Sequence, residues 1–261
     1  MQTLFVKEPM TTDILTWKPD SICLRPSTLD VRGIALQVYN RTCRTNFDAP
    51  GFCLVNIGDS IGSVAFRQLM VSVKREMTAI HVSRTEDTLV YLSAARFDQQ
   101  ESTKPHLDGG PDQCFLMLGY EPSEIPSELE ITDYAKCAFE LGLTPKEFMA
   151  RHNPMFKSGY DMLRPYATRI PCFSPKDFQI VCINNSSASY STDGSTWQGT
   201  LHTATILEPD ETKRRVINST MIARAISNTE DVIDSTSLKH FIHTSEVRRR
   251  GYDKPHLEDD K

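Results

Sequence analysis

The sequence predicts an α+β protein built around an antiparallel β-sandwich or barrel of the jelly-roll type, with flanking helices and a helical insertion. Three observations predict it. Short apolar runs bounded by turn residues recur on both sides of the middle of the chain. A segment of helical period stands between the first and second groups of these runs. A capped, proline-punctuated stretch at 132–175 interrupts the strands. The 261 residues suit one large domain, and a content of 39% hydrophobic and 24% charged residues places the chain among globular proteins rather than disordered ones.

Taken in order, residues 21–25, 33–39 and 51–57 read as short β pieces separated by turns. Asp59 or Ser60 is expected to cap a helix whose apolar positions Val64, Leu69, Val71 and Met77 carry it to about Met77. A strand rich in Leu, Val and Tyr follows at 88–97, then a polar loop to Pro105. The run 114–120 is wholly apolar up to its tyrosine and ends before Pro122, the pattern of a buried strand. Thr132 or Asp133 opens a helix over 134–143, and Thr144-Pro145-Lys146-Glu147 is a second cap with proline at the first helical position. Three β runs, 178–184, 202–207 and 214–223, complete the core. Glu208-Pro209-Asp210-Glu211-Thr212 is expected to join the last two as a hairpin. The domain is therefore expected over 1–245, with its core at 88–225, and the polar residues 246–261 form a tail.

Composition excludes several classes. A net charge of −5 gives no electrostatic footprint for nucleic acid, and the run Arg248-Arg249-Arg250 is offset by the acidic end of the chain. No stretch approaches the ~18 apolar residues that a membrane helix needs. The first residues lack a basic segment followed by an apolar run, so no secretory signal is read. Of the seven cysteines, none forms a CxxC pair, and Cys23, Cys53, Cys114 and Cys182 lie in apolar runs as small reduced core residues. A soluble, cytoplasmic protein with a small-molecule substrate is the expectation.

The chemistry begins at Pro105-His106-Leu107-Asp108-Gly109-Gly110. Side chains at i and i+2 of an extended segment project to one side, so His106 and Asp108 can reach one ion. A further histidine, His202, opens a β run, and together the three form a 2-His-1-carboxylate face that leaves coordination positions open. Lys254-Pro255-His256-Leu257-Glu258 nearly repeats the motif in the tail, but nothing after it supplies a third ligand. Beyond His202 stands the pair Arg214-Arg215, and an arginine there can bind a carboxylate through two parallel hydrogen bonds.

In this order and strand context, His106, Asp108, His202 and the basic pair resemble the 2-oxoglutarate/Fe(II)-dependent oxygenase superfamily over about residues 88–225. The ending His…Arg-Arg-Val-Ile is most like the phytanoyl-CoA hydroxylase and amino-acid hydroxylase branches. The resemblance implies a double-stranded β-helix (cupin-like) core, Fe(II), 2-oxoglutarate and O2 as cofactors, and release of succinate and CO2. It also implies a basic ligand for the far carboxylate of 2-oxoglutarate. Adjacent strand residues face opposite ways, which leaves Arg214 and Arg215 both open; analogy with relatives that carry a basic pair favours Arg214. Val216 and Ile217 stand where a serine often follows, so a second contact must come from elsewhere. The presence of Asp108 favours hydroxylation over halogenation.

Tyr91, on the strand before the motif, is a candidate for the cosubstrate. Arg96, a charge at the end of an otherwise apolar run, is a candidate anchor for an acidic substrate. Asn184 and Trp197, in the polar stretch before His202, are candidates for a pocket wall. They point to oxidation of a small polar or amino-acid-like metabolite. A cupin-type oxygenase that does not use 2-oxoglutarate, and a non-catalytic binding protein on the same barrel, are the competing readings.

Overall fold

The computed structural model describes residues 17–249. A single turn, α1 (Pro19–Ile22), leads into the short strand β1 (Cys23–Leu24), and α2 (Val31–Thr42) follows. The Asp30 carboxylate accepts the Gly33 N–H at 3.1 Å and so caps α2. Ile34, Ala35, Val38 and Tyr39 then fall on one buried face. The expected strand at 33–39 is therefore a helix: its apolar spacing serves a helical face, and an aspartate three residues upstream of Gly33 provides the start signal.

After β2 (Phe52–Gly58), the helix α3 (Ser63–Thr85) begins behind Gly62 rather than at Asp59 or Ser60, and continues past Met77. Gly58, at φ +80°, makes the turn out of β2 that delays it. The strands β3 (Thr88–Asp98), β4 (Cys114–Tyr120) and β5 (Ser127–Thr132) come next. The insertion comprises α4 (Tyr134–Glu140), α5 (Pro145–Arg151) and α6 (Lys157–Leu163), with a complete capping box between Thr144 and Glu147 at the start of α5. Then follow β6 (Ala167–Arg169), β7 (Phe178–Asn184), β8 (Leu201–Ile206), β9 (Val216–Ala225), α7 (Ser235–His243) and β10 (Arg248–Arg249). The tail copy of the motif, with His256, lies outside the described residues.

The strands form a mixed α+β architecture with a seven-stranded sheet, β1-β2-β7-β4-β9-β3-β10, and a three-stranded sheet, β6-β5-β8. Every residue of the central strand β4 is buried, because both faces of the large sheet are covered. Phe115 and Met117 point to one side, into a core with Val38 of α2 and Phe66, Met70 and Met77 of α3. Leu116, Leu118 and Tyr120 point to the other, where they pack with Val181, Ile217 and the small sheet's Leu129 and Ile131.

Two further expectations are corrected. The strands β8 and β9 are not a hairpin. They lie in different sheets, and the turn at 208–212 carries the chain across from the small sheet to the large one. Cys23 is not a reduced core thiol but forms a disulfide with Cys172, across a sequence separation of 149 residues. Cys53, Cys114 and Cys182 are buried free thiols, as read, and burial pushes the Cys53 thiol up to about 12. Among the described residues, no helix is long and apolar enough to cross a membrane.

Candidate metal centre

The polar segment before the HxD motif runs antiparallel along the free edge of β8. Thr103 N–H donates to the Ala204 carbonyl at 2.9 Å, and Ala204 N–H donates back to the Thr103 hydroxyl at 3.0 Å. At the end of this pairing, His106 and His202 exchange main-chain hydrogen bonds of 3.2 and 3.1 Å. A directly opposed pair places its side chains on the same face, and the two imidazole centroids lie 4.1 Å apart. Asp108, two residues beyond His106, brings its Oδ1 to 3.5 Å from His106 Nε2. One ligand atom from each of the three residues lies within 4.8 Å of the others, which makes a possible His–Asp–His metal site.

Neighbouring groups orient the ligands. The Nδ1 of His106 lies 2.8 Å from the Lys104 carbonyl, which can only accept, so a ring proton resides there, and Nε2 is the nitrogen turned toward Asp108. The Asp108 N–H donates to Asn185 Oδ1 at 2.9 Å, and Asn185 Nδ2 donates to the Asp108 carbonyl at 2.8 Å. This buried amide thereby fixes the turn that presents the carboxylate. Two neutral imidazoles and one carboxylate suit a divalent first-row ion and leave part of its coordination sphere free.

The three residues line a cavity of about 60 Å³ whose remaining walls include Phe97, Gln99, Thr103, Leu118, Tyr120 and Ile217. A cleft of about 440 Å³ shares Phe97, Asp108 and Ser219 with this cavity, so the site communicates with a larger space. The guanidinium of Arg215 lies behind Gln99 and Tyr120. Its Nε donates to the Ser127 hydroxyl at 2.9 Å, its Nη1 donates to the Gln99 carbonyl at 3.1 Å, and its Cζ sits 5.1 Å over the Tyr120 ring. Its Nη2 is buried without a hydrogen-bond partner. Burial lowers its pKa from the ordinary value, opposed by the nearby Tyr120 hydroxyl and by Asp98.

Arg214, the arginine preferred from the sequence, is not brought to this cavity. β9 begins at Val216, and Arg214 precedes it as an exposed residue in the crossing turn. Parity at the strand start turns its neighbour inward instead. Tyr91 does not reach the site either. It is buried in the helix-side core with the Lys74 ammonium 4.5 Å over its ring. Arg96 faces away from the cavity that Phe97 lines and holds β3 to its surroundings. It donates to Asn218 Oδ1 at 2.9 Å, the Thr244 carbonyl at 2.9 Å and the Glu121 carboxylate at 2.9 Å. Asn184 is fully buried and donates to the Thr42 carbonyl at 2.9 Å. Trp197 packs in the helix-side core, with its ring centroid 5.4 Å from that of His81.

Sequence reasoning missed Asn185 as the support of Asp108, and missed Tyr120, Ser127 and Gln99 as the surroundings of Arg215. Tyr120 carried a readable signal, since it shares the inward parity of Leu116 and Leu118 on β4. The other three depend on contacts between segments far apart in sequence.

The fold and the cluster define a class: a mixed α+β protein with a large and a small sheet and a possible His–Asp–His metal site between them. No family model matches the chain, and no curated protein matches it. Among solved structures, the chain is similar to apo HygX from Streptomyces hygroscopicus, at 10% identity and a TM-score of 0.39. That likeness covers 82% of this chain and 95% of that one, and it is too distant to bear on ligands or activity.

Proposed function

We propose that the protein is a non-haem iron(II) dioxygenase that uses 2-oxoglutarate to oxidise, by hydroxylation, a small polar or amino-acid-like metabolite. One observation carries this reading: two imidazoles and a carboxylate converge beside a cavity backed by a buried arginine with an unpartnered nitrogen. The two facing sheets support a double-stranded β-helix of the jelly-roll kind, with residues 1–245 as one oxygenase domain. The reading includes a cytoplasmic setting and neither nucleic acid nor membrane as a partner.

The residues fit the absent groups. His106, Asp108 and His202 would hold iron on one face, and the Nη2 of Arg215 would take the far carboxylate of 2-oxoglutarate. Bound together, iron and 2-oxoglutarate would supply O2 activation and the oxidising power for a C–H bond, with succinate and CO2 as co-products. The chain's own part is positional. Asn185 and the His106–His202 pairing fix the ligands, Ser127 and the Gln99 carbonyl fix Arg215, and Phe97, Leu118 and Ile217 exclude water from the cavity.

Anaerobic titration with Fe(II) and 2-oxoglutarate tests the proposal. A weak visible charge-transfer band should develop only when both are present. His106→Ala, Asp108→Ala and His202→Ala should each abolish the band and turnover while the chain stays folded by circular dichroism. Wild-type turnover in any of the three would refute the triad. Iron binding without the band would leave an oxygenase that does not use 2-oxoglutarate, and no iron binding would leave a non-catalytic protein.

A further inference from the structure

The cleft beside the triad has a composition that identifies the kind of molecule it takes. Ser93, Ala95 and Phe97 of β3 pair in register with Met221, Ser219 and Ile217 of β9. Of these, all but Ile217 line the cleft, and Ile217 lines the adjoining cavity. The floor is therefore a smooth strip of small and apolar side chains with a few hydroxyls. At the near end lies Asp108, the only acidic residue of the lining among the described residues and already a member of the triad.

At the sheet edge lies Arg248, the only basic residue of the lining among the described residues. β10 pairs parallel to β3 with Arg248 opposite Phe97 and Arg249 opposite Asp98. Register partners point to the same face. Arg248 therefore shares the cleft side with Phe97, while Arg249 turns away and meets the Asp98 carboxylate at 3.5 Å. Arg248 is exposed, and it makes no hydrogen bond or ion pair with another described residue. A guanidinium held by a strand at one end of a cleft, with no carboxylate among the described residues to neutralise it, is a receptor for an anion.

We infer that the cleft binds a small organic anion, its carboxylate or phosphate on Arg248 and its aliphatic part along Ala95 and Met221, reaching toward Asp108. This inference rests on the proposed function for what happens to the ligand but not for its binding, and the two can fail separately.

The test is equilibrium dialysis of the full chain with 2-oxoglutarate present, so that Arg215 is occupied. Hexanoate is compared with hexanamide, and hexyl phosphate with hexanol. At least one anion should bind about tenfold or more tightly than its neutral partner, the size expected of a charge-assisted hydrogen bond. Whichever anion shows the preference tells carboxylate from phosphate. The preference should vanish in Arg248→Gln and survive in part in Arg248→Lys. With Mn(II) added, the bound probe's terminal methyl protons should relax faster, which places that end beside the triad. Anions that bind no better than neutral molecules overturn the inference. So does a preference that persists in Arg248→Gln but disappears in Arg215→Ala, or a bound probe that Mn(II) at the triad does not relax. If Mn(II) does not bind at all, the metal assignment fails, and the dialysis comparison still decides for or against Arg248.

Discussion

Two buried arginines stand on opposite faces of the large sheet, and their surroundings differ in one respect. Arg96, on the helix side, is 8% exposed, and every nitrogen of its guanidinium has a partner. Glu121 supplies the counter-charge, and the same carboxylate lies 3.3 Å from Arg67. Arg215, on the small-sheet side, is 2% exposed, yet its side chain meets only neutral partners, the Ser127 hydroxyl, the Gln99 carbonyl and the Tyr120 hydroxyl, and Nη2 makes no well-formed hydrogen bond. The nearest acid, Asp98, accepts the main-chain N–H of Arg215 at 3.0 Å and also faces Arg249. Burial of a cation therefore does not mark function in this protein. The bonding capacity left over is what separates them: Arg96 is saturated by the fold, whereas Arg215 keeps a spare donor, which the proposed function assigns to 2-oxoglutarate.

The comparison breaks most visibly through stability. Arg96→Ala removes one of the two guanidiniums that neutralise Glu121 and unpairs Asn218 Oδ1 within a desolvated network, and should lower unfolding free energy by about 3–5 kcal/mol, with metal affinity intact in the folded protein. A shift in the urea midpoint at constant slope reads the first effect and a metal titration the second. Loss of metal binding at unchanged stability would invert the roles of the two arginines. Arg215→Ala should instead weaken 2-oxoglutarate binding by about 2–5 kcal/mol, measured as the midpoint of the visible band. Asn185→Ala sharpens the distinction between supports and ligands. With all three ligands retained, metal affinity should still fall about 10–100-fold, since the turn carrying Asp108 loses both amide bonds.

A smaller effect concerns a buried base that, unlike arginine, can shed its proton. Burial lowers the His81 pKa from 6.5 to about 4, and Nδ1 lies 2.7 Å from the Tyr39 hydroxyl. The folded protein thus keeps His81 neutral after the unfolded chain has begun to take up a proton. Stability contributed by the neutral ring is complete above 6.5 and is lost as pH falls toward about 4. His81→Gln should flatten the pH dependence of the urea midpoint across that window, and an unchanged slope would assign the acid sensitivity to other groups. Smallest of all, Arg214→Ala should change cosubstrate binding by less than about 0.5 kcal/mol, as for other exposed residues. An effect as large as that of Arg215→Ala would return the role to Arg214.

The ligand types of the triad were legible because half of its geometry is local, although the meeting of His106 with His202 depends on pairing along the edge of β8. An i, i+2 pair on an extended segment and a histidine at the start of a strand need no knowledge of topology. The choice within Arg214-Arg215 was not legible, since it turns on β9 starting at Val216, and a shift of one residue exchanges the two faces. The apolar spacing at 33–39 fits a helix face as well as a strand, and the upstream Asp30 was the signal that separates them. Arg96 was read as a substrate anchor because a charge there needs a partner, and Glu121 and Asn218, which supply that partner, lie on other elements and could not be foreseen. The crossing between β8 and β9 looked like a hairpin because turn chemistry records a reversal of direction and not the sheet to which the next strand belongs. The disulfide left no trace, since its partners are 149 residues apart.

The ladder contact between His106 and His202 has a thermodynamic corollary. Two of the three ligands are spaced by peptide groups that bond to each other rather than to an ion, so the pairing itself sets their separation. Uptake of the ion should be accompanied by little change in heat capacity, since almost no apolar surface is left to bury in forming the site. The His106 and His202 amides should exchange with deuterium almost as slowly after chelator treatment as before it.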